Sequence, residues 1–330
     1  MPFYRPSERI EKHQPMKTSF ALLLASLSVS RILAAPVPAL EGHDFFYAGE
    51  NKVHDMYVVK KGEIVWSYHN HSSKGEISDA VRLSNGSVLF AHQFGITLLG
   101  EDKKVIWKLD APAGTEIHTA QPIGKERIVY VMNGPEPKCV VHNIVTDKAE
   151  REFPLKVGNL KSVHGHFRHA RLTAAGTLLV AHMDAGKVSE YDDHGKEVWT
   201  TPFSGPWSAS RLPDGNTLIT SPKSIREVNP KGETVWECNP ADLPDPKNLS
   251  LQIAQRLPNG NTLLNNWVNA WSGPIDTATA PAQAFEITPD KKVVWTLRSW
   301  DEPNNLGPAT TIQLLDTPSV PEDVHFGEFR

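Results

Sequence analysis

From residue 45 onward the chain alternates apolar and polar positions in runs of a few residues, each run broken by Gly, Pro, Asn or Asp. A period of two over such short runs is the signature of short, half-buried strands, and no segment carries a sustained helical period. The stretch Arg211–Pro240 shows the pattern in full. RL forms a first strand, PDGN a tight turn, TLIT a second strand, IREVN a third, PKGE another turn and TVWE a fourth. Asp-Gly and Asn-Gly between apolar runs favour hairpins because glycine accepts positive φ at little steric cost.

This unit recurs along the chain. Strands ending in Trp after a charged turn appear as GEIVW, KKVIW, GKEVW, GETVW and KKVVW, closing at Trp66, Trp107, Trp199, Trp236 and Trp295. RLSNGSVL, RLTAAGTLL, RLPDGNTLI and RLPNGNTLL open four of the units at Arg82, Arg171, Arg211 and Arg256. A degenerate copy, QPIGKERIVYV to AEREFPL, lies between the second and third Trp and closes on Phe153. The closing positions are 41, 46, 46, 37 and 59 residues apart, the spacing of β-propeller blades rather than of a sandwich. The first unit, Phe45–Trp66, lacks its innermost strand, and an orphan strand, Ala309–Pro318, follows the sixth. The expected fold is therefore all-β: a six-bladed β-propeller of four-stranded blades, its ring closed by the C-terminal strand pairing with the N-terminal blade. Closure removes the open edges of an array. An open solenoid, or a seventh unrecognised blade, is the alternative.

Residues 1–39 stand apart. Met16-Lys17 precedes the apolar run Phe20–Val29, and Val37-Pro38-Ala39 places small residues where a signal peptidase cuts. Ten apolar residues are too few to cross a bilayer, which needs roughly 20. The expected organisation is a signal peptide over 1–39, with Met16 an alternative start, one propeller domain over 40–318 and a C-terminal tail over 319–330. The protein is then secreted or periplasmic, with no membrane span after signal removal. The formal charge of −4 becomes −7 once residues 1–39, with five Lys/Arg and two Asp/Glu, are removed. A nucleic-acid partner is not expected at that charge, and a monomer is.

RLPDGNTLI followed by EVNPKGETVWE resembles the repeats of secreted PQQ-like (quinoprotein-type) β-propeller proteins, and the blades are similar to those of bacterial arylsulfate sulfotransferases, over about residues 45–317. The sulfotransferase likeness implies a catalytic histidine near the central channel, although their extra N-terminal domain has no room here. PQQ dehydrogenases are eight-bladed and cover the quinone with a disulfide between adjacent cysteines. Here Cys139 and Cys238 fall in different blades, so neither PQQ nor a bridge between them is expected.

Side chains that recur in every blade are explained by packing, and those present once or twice are candidates for chemistry. The closing Trp and opening Arg residues are read as structural. Links between blades share one face with the turns between second and third strands, and eight of the thirteen histidines beyond residue 39 map there: His69, His71, His92, His118, His164, His166, His169 and His182. His92, His118, His169 and His182, with Arg168 to hold an anion, form the expected catalytic group. In VHGHFRHAR, an extended link points His164 and His166 the same way, as ligands of zinc or a similar divalent metal; Asp79 and Asp184 are candidates to orient imidazoles. Trp207, Trp267, Trp271 and Trp300 lie outside the repeat and suit a sugar-stacking platform. Two readings follow. One is an exported enzyme, of lyase, hydrolase or sulfotransferase type, acting on an acidic or sulfated glycan; the other is a non-catalytic propeller that binds a small molecule, a glycan or a protein.

Overall fold

Twenty-four strands assemble into six four-stranded antiparallel sheets in the computed structural model, which describes residues 40–50, 55–71, 76–244, 249–268, 275–317 and 319–330. The segment expected to be a signal peptide, residues 1–39, lies outside the described residues. No helix among the described residues is long and apolar enough to cross a membrane.

The first blade takes β1 (Phe45–Gly49), β2 (Met56–Lys60) and β3 (Glu63–Tyr68) from the N-terminal side. The second holds β4 (Asp79–Arg82), β5 (Val88–Ala91), β6 (Gly95–Leu99) and β7 (Val105–Asp110), and the degenerate third β8 (Glu116–Ile123), β9 (Arg127–Asn133), β10 (Lys138–Asn143) and β11 (Lys148–Pro154). Blade four comprises β12 (Phe167–Leu172), β13 (Leu178–His182), β14 (Lys187–Tyr191) and β15 (Glu197–Pro202). Blade five comprises β16 (Ser208–Arg211), β17 (Thr217–Ser221), β18 (Ser224–Val228) and β19 (Thr234–Cys238). Blade six comprises β20 (Leu251–Arg256), β21 (Thr262–Asn266), β22 (Ala284–Ile287) and β23 (Val293–Leu297). The orphan strand, β24 (Ala309–Leu314), then pairs antiparallel with β1, Phe45 opposite Leu314 and Tyr47 opposite Ile312, and completes the first blade. The ring of six is thus closed by the two ends of the described chain, as the repeat count requires.

Within a blade the two middle strands are buried, which is why they read as continuous apolar runs, whereas the outermost strands alternate. Val65, Ile106, Val198, Val235 and Val294, each just before a closing Trp, face solvent on those outer strands. Every outer strand also carries a register shift against its neighbour, as at Glu227/Val228 and Glu286/Ile287. Such bulges increase twist at an open edge and discourage pairing with another chain.

What joins one blade to the next is the closing Trp. Trp66, Trp107, Trp199, Trp236 and Trp295 donate Nε1–H to Glu101 O, Asp147 Oδ1, Pro230 O, Pro289 O and Glu41 O of the following blade at 2.8–3.1 Å. At two interfaces the recurring Arg completes a clasp. Arg211 lies 4.6 Å over Trp199 and donates to Glu190, and Arg256 lies 5.0 Å over Trp236 and donates to Glu227 at 2.7 Å. A partly buried cation on an indole face contributes about 1 kcal/mol. Phe153 cannot donate, and its ring instead packs on Gly195, whose φ of +82° and clearance of 2.6 Å to Phe153 leave no room for a Cβ. The segment 319–330 supports this weak interface. Phe326 is fully buried 6.4 Å from Phe153, Gly124 N donates to Glu322 O, and Gly327 N donates to Gly176 O.

The closing seam uses a different cation. Glu286 holds the place of Glu190 and Glu227 opposite its blade's Trp, and His43 takes the place of the arginine. His43 donates Nε2–H to Glu286 and Nδ1–H to Asp316, both at 2.8 Å, with its ring 4.9 Å from Trp295. Burial alone would lower this imidazole, but the hydrogen bonds to Asp316 and Glu286 outweigh it and raise its pKa above the ordinary 6.5. A raised folded-state pKa means the clasp's stability is complete below pH 6.5 and is lost as pH rises through the raised value. Thermal melts between about pH 6 and pH 9 should therefore show the wild type losing stability relative to His43→Arg, whose cation does not titrate; parallel curves would refute the clasp.

Candidate functional site

The innermost strands of all six blades begin on the same face, so each delivers its first residues to the mouth of the central channel. Thr310 from β24, Glu76 and Ser78 before β4, His118 on β8, Arg168 and His169 on β12, Trp207 before β16 and Gln252 on β20 together line a narrow funnel whose enclosed space, about 10 Å³, is about the room of one water.

At its rim four side chains form a closed hydrogen-bonded ring. The Glu116 Oε2 atom lies 2.8 Å from both His118 Nε2 and His164 Nδ1, and Arg168 completes the circuit, Nη1 to His118 Nδ1 at 3.1 Å and Nη2 to His164 Nε2 at 2.6 Å. Each imidazole thus bridges a carboxylate and a guanidinium, donating to one and accepting from the other. Arg168 also donates Nη1–H to Glu76 at 2.8 Å and lies 4.9 Å over Trp207, while its buried Nε has no partner among the described residues. Ser78 Oγ sits 3.0 Å from Glu76 and 2.9 Å from His118 Nδ1. Burial would raise the Glu76 carboxyl, yet its bond to His118 and the charge of Arg168 hold it well below the usual carboxylate range. Burial would likewise raise Glu116, and bonds from His118, His164 and Gln93 hold it low. Gln93 donates to Glu116 Oε1 at 3.0 Å from a left-handed backbone, φ +63°, in the turn between β5 and β6.

A second pair joins the inner strands of the fourth and second blades. Arg171 leaves the register of the other repeated arginines and donates to both oxygens of Asp79 at 2.8 and 2.9 Å, with Thr119 also donating to Asp79. Burial would raise Asp79, but Arg171 and then His169 hold its pKa low. His169 Nδ1 lies 3.8 Å from Asp79, and burial lowers its pKa.

The structure brings His118, His169, Arg168 and Trp207 to the funnel, with His164 at its rim. It does not bring His164 and His166 to one point. Val163–Gly165 is a 3-10 turn rather than an extended link, so residues two apart diverge, and the fully buried His166 bonds Asn159 O at 3.0 Å and Gly134 N. His182 is likewise held away from the funnel, donating Nδ1–H to Lys156 O in the link from the third blade and accepting from Tyr191 Oη of its own blade at 3.0 Å. His92 is buried outside the funnel lining, and its pKa is lowered by burial. Trp300 is buried with Nε1–H on Pro281 O, which pins its own loop. Trp267 stands 6.3 Å from Trp207 at 31° and donates to Glu50, so these two indoles form the aromatic wall. Trp271 lies outside the described residues. Asp184 accepts from Asn159 N and orients no imidazole among its described contacts, and Cys139 and Cys238 are buried free thiols.

Glu76, Glu116 and Gln93 were not candidates from the sequence. Glu116 stands two residues before His118 on one strand, the spacing of a shared face, and that signal was available. Glu76 and Gln93 reach the ring only through the geometry of a link and a turn.

No family model matches the chain, and no curated protein matches its sequence. Solved structures do match. A protein of unknown function from Bacteroides caccae superposes with TM-score 0.69 at 21% identity, over 82% of this chain and 98% of that one. A streptogramin B lyase gives TM-score 0.51 at 13% identity, over 79% and 83% of the two chains. A virginiamycin B lyase from Staphylococcus aureus, a catalytically inactive histidine-to-alanine variant with quinupristin, gives TM-score 0.50 at 12% identity, over 77% and 95%. At these identities the likeness shows the propeller fold alone.

His182 yields a test of its packing role. Burial, with Lys187 adding to it, pushes its pKa down to about 4, so the neutral ring is what the fold holds. Its stabilisation is complete above the ordinary 6.5 and is lost as pH falls toward about 4, a cost of about 3 kcal/mol across that window at about 1.4 kcal/mol per pH unit. In urea titrations His182→Asn, whose amide can replace Nδ1–H, should reduce the acid-side loss, whereas an unchanged slope would remove His182 from its cause.

Proposed function

We propose that this protein is an exported binding propeller that takes a polar, glycan-like ligand at the channel mouth, where His164 and Glu116 move a proton to or from it. The observation that carries the reading is the convergence of single, non-repeating residues from all six blades on one funnel beside the Trp207–Trp267 wall. Packing explains side chains that recur, and none of these does. An indole wall stacks on the apolar face of a sugar ring, while the Glu, His and Arg edge bonds its hydroxyls. His164 is the half-exposed member of the ring, with 51% of its side chain accessible, which suits a group that exchanges protons with a ligand. That a lyase of similar fold is inactivated by replacing one histidine supports a working histidine here. Export rests on the signal-like segment 1–39, and the PQQ-like and sulfotransferase-like resemblance adds support for the secreted class but for no particular reaction.

One observation favours the non-catalytic alternative: both ring nitrogens of His118 and of His164 already have protein partners. The acidic or sulfated class also meets an obstacle, since Arg168 is engaged by Glu76, His118 and His164.

Tryptophan-fluorescence titration against neutral, uronate-containing and sulfated oligosaccharides tests the reading. Trp207→Ala should weaken binding by about tenfold, or ~1.4 kcal/mol, and His164→Ala should abolish any turnover while retaining binding. Absence of binding across the panel, or equal affinity in Trp207→Ala, would overturn it; binding without turnover would leave the non-catalytic propeller.

A further inference from the structure

We infer that Glu116, His118 and His164 form a site for a divalent transition metal of the zinc class at the channel mouth. One donor atom from each residue, two imidazole nitrogens and a carboxylate oxygen, lies within 4.8 Å of the others. Two imidazoles and one carboxylate are a donor set that zinc accepts with a coordination position left open. The ligand atoms are Glu116 Oε2, His118 Nε2 and His164 Nδ1, now drawn to 2.8 Å by shared protons. Around an ion with bonds of about 2.1 Å they would spread to about 3.4 Å. The spread is small, and the half-exposed His164 on its 3-10 turn can take it up.

The surrounding shell is built for two of the three ligands. Gln93 holds the other oxygen of Glu116 at 3.0 Å, leaving Oε2 as a single donor. His118 Nδ1 faces Glu76 at 3.2 Å and Ser78 Oγ at 2.9 Å, which would accept its N–H once Nε2 binds metal, a carboxylate–histidine–metal arrangement. Both histidine ligands have a competitor. Arg168 donates Nη1–H to His118 Nδ1 and Nη2–H to His164 Nε2, so metal on the opposite ring nitrogens, which moves each ring proton to the side facing Arg168, displaces both hydrogen bonds. The displaced N–H groups of Arg168, which lines the mouth, then become donors for a ligand.

Charge gives an independent reason. Two carboxylates, Glu76 and Glu116, face one guanidinium around the mouth. A divalent ion adds two positive charges there and favours a carboxylate- or sulfate-bearing ligand. The metal site does not depend on the glycan reading, because it is defined by protein donors alone; with metal bound, Glu116 Oε2 and His164 Nδ1 are ligands rather than the proton-transfer groups of that reading.

Zinc and cobalt binding to the purified, chelator-treated protein tests it. One equivalent of zinc should remain after gel filtration, and cobalt should give the visible absorption of a low-coordinate site. Glu116→Gln and His164→Ala, folded by circular dichroism, should each weaken zinc binding at least tenfold, whereas His194→Ala, at the exposed Asp192–His194 turn, should not. Sub-stoichiometric zinc in the wild type, zinc unchanged in both ring variants, or zinc lost only in His194→Ala would each overturn the site. Should one ring variant fail to fold, the other decides.

Discussion

No blade of this propeller is complete without its neighbour. Each closing indole must find its acceptor in the following blade, so an indole at an open end would lose its partner. The joint between the last and first blades is therefore the constraint on which the rest depends. It is met twice, by β24 pairing with β1 and by the His43 clasp over Trp295. At the two preceding interfaces the clasp is arginine, whose charge is fixed. A titratable cation where the two chain ends meet makes the seam responsive to proton concentration.

Much of this frame is legible in the sequence because it repeats. The hairpin turns, the Trp–Arg pairs and the missing innermost strand of the first unit are periodic, and a departure from the period, such as Phe153 or the orphan strand, is visible against it. The candidate site is legible only in part, for the same reason inverted. It consists of side chains that occur once, so nothing along the chain calibrates their direction. His164 and His166 have the spacing of a shared strand face, but a single 3-10 turn sends one to the rim and buries the other. His92 and His182 occupy matching positions at strand ends, yet only the register of each turn determines that both stay outside the funnel lining. Arg171 differs from its counterparts by one inserted residue, Gly176 lying five positions on against four in the other units, and a shift of one along a strand turns a side chain to the other face, where it meets Asp79.

Electrostatics unites the residues that do converge. Carboxylates alone at the mouth would be driven toward their neutral forms by burial, and the guanidinium alone would be costly to desolvate. Their alternation with imidazoles spreads the charge through hydrogen bonds that are all short of 3.2 Å around the ring. Such a network is rigid while complete and sensitive to the loss of any member. The left-handed backbone at Gln93 belongs to the same economy: a conformation disfavoured for glutamine is retained where its amide fixes one oxygen of Glu116.

The bridge from Arg171 to Asp79 has a mechanical consequence. It joins the fourth blade to the second, with Thr119 of the third donating to Asp79 and accepting from Ala170 N, and the C-terminal segment bonds the turns that follow the same three inner strands at Ser84, Gly124 and Gly176. Three successive blades are thus tied together twice. The walls that carry Glu76, His118 and Arg168 are held as one body, so a ligand at the mouth meets a preset arrangement of these groups rather than one that must assemble around it.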